Sequence, residues 1–222
     1  MTIYYCYDAY CGWCYGFSPV IRRVFDEYRH ILAFETLSGG MILPEKPQPI
    51  GVMAGYIQQA YKVVEERTGI RFGKDFLWHV FNPDQSDWFP DSLKPAIALC
   101  ILKDYQPQRQ VEFASGLQFA LHEDGRDLCD DEAYRGLLQK YGIPEKDFFE
   151  RLHMPAYREK AMAEFDIVKR LGIRGFPTLL LRENSSRFHL LSNGYTDIDT
   201  VSARIDQALA ALDPPDHSPD RD

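Results

Sequence analysis

Cys11 and Cys14, separated by Gly12-Trp13, are the residues of this 222-residue chain whose type and spacing carry the clearest chemistry. A thiol does redox work only as thiolate, so a catalytic cysteine, with a free pKa of about 8.5, needs something nearby that stabilises negative charge. A helix N-terminus does this, because its first N–H groups have no partner inside the helix. The apolar positions Phe17, Val20, Ile21, Val24, Phe25 and Tyr28 recur at intervals of three and four, which predicts a helix starting at the cysteine pair. Residues 3–7, aromatic and β-branched, predict a strand before it. Cys11 therefore falls at a strand-to-helix junction, where the N–H groups of Trp13 and Cys14 can point at its sulfur. Cys14 lies one turn along on the same side, which permits a disulfide. In this reading Cys11 is the exposed nucleophile and Cys14 resolves the mixed disulfide.

Structural zinc is the competing use of Cys-x-x-Cys, and it takes four ligands at short spacings. Cys100 and Cys129 are far from each other in sequence, and the six histidines form no ligand-spaced pair. The pair is therefore read as redox-active, with no metal, and Cys6, Cys100 and Cys129 as inert core thiols. The 25 Lys+Arg against 33 Asp+Glu leave a net charge of -8, which excludes a basic nucleic-acid-binding surface. With 45% hydrophobic and 26% charged residues the chain can bury a core. Its longest apolar run, residues 95–102, falls well short of the roughly 20 residues that cross a bilayer, so no membrane partner is expected. Residues 1–7 lack the basic and apolar regions of a signal peptide, which predicts a cytoplasmic location. In a reducing compartment, Cys-x-x-Cys is a reactive or metal-binding motif before it is a staple.

The elements that must position the pair follow from the pattern. Residues 31–37 supply a second strand and complete a strand-helix-strand unit. Pro19 sits early enough in the intervening helix to be tolerated or to kink it. From 49 to 164 helical periodicity takes over. Met53, Tyr56, Ile57, Ala60, Tyr61 and Val64 form one stripe, read as core, and a second helix is expected after an N-cap at Ser92. Further helices are expected around Leu117, around Leu138 with a stop at Gly142, and after Pro144. A helix marked by Tyr157, Ala161, Phe165, Val168 and Leu171 then leads to a hairpin of strands 179–182 and 187–191. A last helix carries Val201, Ile205, Ala208, Leu209 and Leu212, and the Pro/Asp-rich tail 213–222 reads as disordered. The class is α/β, a thioredoxin fold (βαβ…αββα). Residues 1–48 and 165–212 form its domain, interrupted by an all-helical insertion, 49–164. Such an insertion costs little closure entropy.

Residues 7–16 (YDAYCGWCYG) and 172–178 (GIRGFPT) resemble the active-site segment and cis-proline loop of the DsbA family of thioredoxin-fold oxidoreductases. The similarity is to its cytoplasmic, FrnE-like branch of predicted protein-disulfide isomerases, and residues 119–130 (FALHEDGRDLCD) fit that branch more weakly. The resemblance implies a Cys11–Cys14 redox pair and a cis Phe176–Pro177 bond facing Cys11. Substrate would then be held by Gly12, Trp13, Phe176, Pro177 and Thr178, with the Phe176 backbone free for strand-like pairing. Partners would be protein thiols and disulfides or glutathione as co-substrate, with no metal or organic cofactor. Two departures leave the direction of exchange open. Gly12-Trp13 lacks the histidine of strongly oxidising relatives, and Tyr5 stands where a buried acid would lie. Asp8 is read as a modulator of thiol acidity, and Trp13 as an exposed aromatic that grips substrate. Two alternatives stand beside this reading. One is a glutathione-dependent transferase or small-molecule isomerase of the same superfamily, in which serine replaces the first cysteine. The other is a non-catalytic binding protein whose helical block docks a partner and whose cysteines hold zinc.

Overall fold

The N-terminal run of aromatic and β-branched residues forms strand β1 (Thr2–Tyr7), followed by helix α1 (Gly12–Tyr28) and strand β2 (Ala33–Ser38). The computed structural model describes residues 1–211; Leu212 and the tail 213–222 lie outside the described residues. β1 and β2 pair in parallel, as a helical crossover requires. Strands β3 (Thr178–Arg182) and β4 (Phe188–Asn193) form the antiparallel hairpin, and β3 also pairs antiparallel with β1. The sheet order is β2-β1-β3-β4, so the strand that leads into Cys11 is an interior one. Strand β2 starts later than its apolar run suggests. Ile31 is 65% exposed, because the N–H groups of Ile31 and Leu32 both bond the Tyr28 carbonyl and extend the helical turn through them.

Between β2 and β3 lie seven α-helices: α2 (Gly51–Thr68), α3 (Lys74–Phe81), α4 (Leu93–Tyr105), α5 (Gln110–His122), α6 (Arg135–Tyr141), α7 (Glu145–Leu152) and α8 (Pro155–Arg170). Helix α9 (Ile198–Ala210) follows the hairpin and packs against α1. The run Pro95 to Leu102 is buried on every side of α4, which explains why it has no polar face. Pro19 lies inside α1 without ending it. Its missing N–H would have bonded the Tyr15 carbonyl, and that oxygen instead accepts from Ser18 Oγ at 2.8 Å. Helix α3 has no counterpart in the sequence reading. Its eight residues carry no side-chain cap and are dense in aromatics, a composition equally suited to a strand.

Side chains of the helices seal the outer edge of β2. The Thr36 N–H donates to Gln110 Oε1 at 2.6 Å, and Gln110 Nε2 donates to the Phe34 carbonyl at 2.8 Å. The Ser38 N–H donates to Glu164 Oε2 at 2.9 Å. Lys103 Nζ donates to the Thr36 carbonyl at 2.8 Å and also reaches Glu35 and Glu164. Burial works against the Lys103 ammonium, but the Glu164 and Glu35 carboxylates outweigh it and hold its pKa above the ordinary value. An edge strand with satisfied backbone groups cannot template another chain.

Gln110→Ala strips a partner from two backbone groups of β2 at once. A buried group left unpaired costs about 1–3 kcal/mol, so the variant should lose at least the lower end of that range for each group in urea unfolding. A loss below about 0.5 kcal/mol, the size of an ordinary surface substitution, would show that the seal does not support the sheet.

Candidate active site

The register of β1 and β3 determines what meets at the end of the sheet. Cys6 lies opposite Thr178 in an antiparallel pair, so the segment leaving β1 and the segment entering β3 emerge side by side. Cys11 is the N-cap of α1, with extended backbone (φ -78, ψ 108), and its Sγ accepts the Cys14 N–H at 3.2 Å. Its thiol donates to the Phe176 carbonyl at 3.5 Å, and the Phe176–Pro177 bond is cis. Thus Cys11, Gly12, Trp13 and Phe176 line one cavity, with Cys14 fully buried behind them. Pro177 is buried, and Thr178 Oγ1 donates to the Gly175 carbonyl at 2.8 Å, so this hydroxyl braces the loop. The Phe176 ring lies where a side chain on residue 39 would project. A Cβ on Gly39 would stand 1.9 Å from it, which is why that position has none.

Two side chains differ from the sequence expectation. Cys11 is only 7% exposed, because Phe176 and the cavity walls cover its sulfur. Trp13 is half-buried and packs against the core instead of standing free. Burial pushes the Cys14 thiol well up, reinforced by its contact with Cys11. Burial likewise pushes Cys6 up to about 12 and raises Cys100 and Cys129, which keeps these three thiols protonated.

Asp8 fastens three segments together beneath the site. Its carboxylate, 1% exposed, accepts from the Tyr10 N–H at 3.0 Å, the Met41 N–H at 2.7 Å and Ser92 Oγ at 2.9 Å. Its backbone carbonyl accepts the Cys11 N–H at 3.1 Å. Burial raises the Asp8 pKa against these stabilising donors. Ser92 precedes α4 but makes no cap hydrogen bond; its Oγ donates to Asp8 and accepts from the Ile42 N–H at 3.0 Å. The hydroxyl is taken by the site, which sequence periodicity could not reveal.

From residues 119–130, His122 lines the same cavity as Cys11. His122, 1% exposed, stacks on Tyr15 at 4.9 Å and faces the Gln118 carbonyl through Nδ1 at 3.0 Å. Tyr15 Oη donates to Glu123 Oε2 at 3.2 Å, and Tyr10 Oη lies 3.4 Å from Cys129 Sγ. His122 and Ser92 are the site residues that sequence reasoning passed over. The weak family fit of 119–130 was the one signal that marked the first of them.

Burial lowers the His122 pKa to about 4. The unfolded chain binds this proton near pH 6.5, so stability present above that pH is lost as the pH falls toward 4. Between pH 7 and pH 5 the loss from this group is about 2 kcal/mol. His122→Gln should flatten the urea-derived stability curve over that interval by about this amount. Parallel curves for the two proteins would show that His122 is not held neutral.

Comparison with known proteins agrees with this fold. The chain resembles a candidate protein disulfide isomerase from Nitrosomonas europaea at 24% identity and TM-score 0.78, covering 95% of this chain and 98% of that one. The cytosolic disulfide reductase DsbM from Pseudomonas aeruginosa aligns at 24% identity and TM-score 0.76 over 95% and 100% of the two chains. Its structure with GSH aligns at 24% identity and TM-score 0.72 over 94% and 99%. A 2-hydroxychromene-2-carboxylate isomerase shares the fold at 13% identity and TM-score 0.62, over 96% of each chain. No curated protein matches the sequence. Residues 2–206 match the DSBA-like thioredoxin domain, and a match of that extent makes this chain a member of the DsbA-like family of thioredoxin-fold proteins.

Proposed function

We propose that this protein is a cytosolic thiol–disulfide oxidoreductase, acting as a protein-disulfide reductase or isomerase through a Cys11–Cys14 disulfide. The observation that carries the reading is the setting of Cys11 Sγ, 3.2 Å from the Cys14 N–H and 3.5 Å from the Phe176 carbonyl. The unpartnered N–H groups of a helix start favour a thiolate there. Residues 1–48 and 165–212 act as the thioredoxin-like unit, and 49–164 as its insertion.

The exchange runs in two balanced steps. The Cys11 thiolate attacks one sulfur of a substrate disulfide, forming a mixed disulfide and releasing the other sulfur as thiolate. Cys14 then gives up its proton and attacks Cys11 Sγ, forming the Cys11–Cys14 disulfide and releasing the second substrate sulfur. Two electrons and the Cys14 proton end on the substrate sulfurs, and the proton that Cys11 lost to water on ionising returns from water to the second substrate thiolate. Reversal of the same steps oxidises a dithiol. Burial keeps Cys14 protonated, so it waits as thiol until a substrate sulfur occupies Cys11.

The cysteine at position 11 separates this reading from the glutathione-transferase and small-molecule-isomerase alternative, which has serine there. Among the described residues no three His, Cys, Asp or Glu side chains gather as a metal site. No helix of the described residues is long and apolar enough to cross a membrane.

Cys14→Ser should accumulate mixed disulfides with reduced-and-reoxidised protein substrates on non-reducing gels, while Cys11→Ser should form none. Equal trapping by both variants would remove the division of roles. Brief iodoacetamide treatment of the reduced native protein should modify Cys11 ahead of the other four cysteines in a peptide map. First labelling at Cys129, the one cysteine that is not buried, would contradict the assignment of the nucleophile.

A further inference from the structure

A cavity of about 850 Å³ lies between α1, α5, α6 and the segment that joins α5 to α6, and it shares no lining residue with the cavity at Cys11. Arg22 reaches it from α1, Arg109 from the turn before α5, Arg126 from the joining segment, and Arg135 and Lys140 from α6. Its acids are Glu112, Asp124 and Glu132, so cations outnumber carboxylates here in a chain whose net charge is -8. Two of the acids are already taken. Glu112 pairs with Arg109 at 3.1 Å and Glu132 with Arg135 at 2.6 Å. Among the described residues Arg22, Arg126 and Lys140 enter no ion pair, and neither does Asp124. Three unmatched cations against one unmatched carboxylate leave the cavity short of two negative charges. The remaining lining is aromatic or small. Tyr141, with Arg109 and Lys140 at 5.5 Å and 5.3 Å from its ring centre, is half-buried, and Phe119 is 50% exposed. Gly116, Ala120, Ala133 and Gly136 add no long side chain, and a Cβ on Gly136 would touch nothing.

We propose that this cavity binds a small organic phosphate whose other half is a flat ring, the chemistry of a nucleoside monophosphate, at a site separate from the thiols. A phosphate monoester carries close to two negative charges above pH 7, which is the charge the lining lacks. Arg22 and Arg126 bring forked guanidinium donors that match phosphate oxygens in pairs, and Lys140 adds a point charge. The three come from segments far apart in sequence and meet in one concave surface, where low-dielectric walls strengthen their common field. A lone exposed arginine has no such neighbours and is simply solvated. The ring of the ligand has Tyr141, Phe119 and the small residues to lie against, at the cost of no hydrogen bond. Asp124 is then an acceptor for a ring amine or a sugar hydroxyl. Towards a bare inorganic anion the same carboxylate is a like charge, so the lining favours a phosphate that carries an organic half. The volume lies within the range of cavities that take small molecules.

The test is isothermal titration of the whole reduced protein, above pH 7, with AMP, adenosine and inorganic phosphate in turn. AMP should bind one to one and at least about 10-fold more tightly than either of its halves, and its affinity should fall as sodium chloride is added. Arg22→Ala and Arg126→Ala should each weaken AMP by about 10-fold, the loss of one charge-assisted hydrogen bond. Arg174→Ala, which removes a cation from the cavity at Cys11 instead, should leave AMP binding as it was. AMP binding no tighter than adenosine, or inorganic phosphate binding as tightly as AMP, would overturn the inference. So would an AMP affinity that falls with Arg174 and not with Arg22 or Arg126. Both of these arginines are exposed, so their removal spares the core, and the comparison of three ligands on the wild-type protein decides the matter even without the variants.

Discussion

The candidate chemistry depends on one placement: a sulfur held at the first turn of a helix that leaves the end of an interior strand. The contact that defines this placement is the Cys14 N–H, which donates to Cys11 Sγ at 3.2 Å. Three parts of the molecule hold the geometry. The β1/β3 register sets Thr178 opposite Cys6 and so brings Phe176 to the sulfur. The Asp8 carboxylate gathers the N–H groups of Tyr10 and Met41 with the Ser92 hydroxyl just below. His122 and Tyr15 stack to form the wall on the α5 side.

These parts tie the helices between β2 and β3 to the sheet by hydrogen bonds as well as apolar contact. Gln110, Lys103 and Glu164, from α5, α4 and α8, satisfy the outward backbone groups of β2. Ser92 at the head of α4 reaches Asp8 only three residues before the nucleophile. Buried polar groups of this kind are costly when half-satisfied, so a shift of α4 or α5 is resisted at the same place that orients Cys11. The helices thus serve two ends, closing a sheet edge and bracing the cysteine turn.

Much of this was legible in the sequence because it rests on local periodicity. The alternation of elements, the hairpin and the two loop motifs each follow from patterns within a dozen residues. What escaped was set by contacts between distant segments. Ser92 has the chemistry of an N-cap, but a carboxylate 84 residues earlier takes its hydroxyl. The stripe of α2 has the pattern of a core helix, yet most of it faces a cavity. Cys11 and Trp13 read as exposed because nothing in their own segment signals that α2, some forty residues on, packs across the cysteine turn. His122 carried no sign of importance beyond its place in a stretch with weak family likeness, since its role comes from the ring it stacks on.

The most direct test of the account is a redox titration of the whole protein in glutathione buffers, with the disulfide formed at each point assigned by peptide mass mapping. The account predicts one two-electron transition in which Cys11 and Cys14 become linked to each other while Cys6, Cys100 and Cys129 remain thiols throughout. A transition that pairs either cysteine with a different partner, or no protein disulfide at any point between fully reducing and fully oxidising buffer, would contradict it.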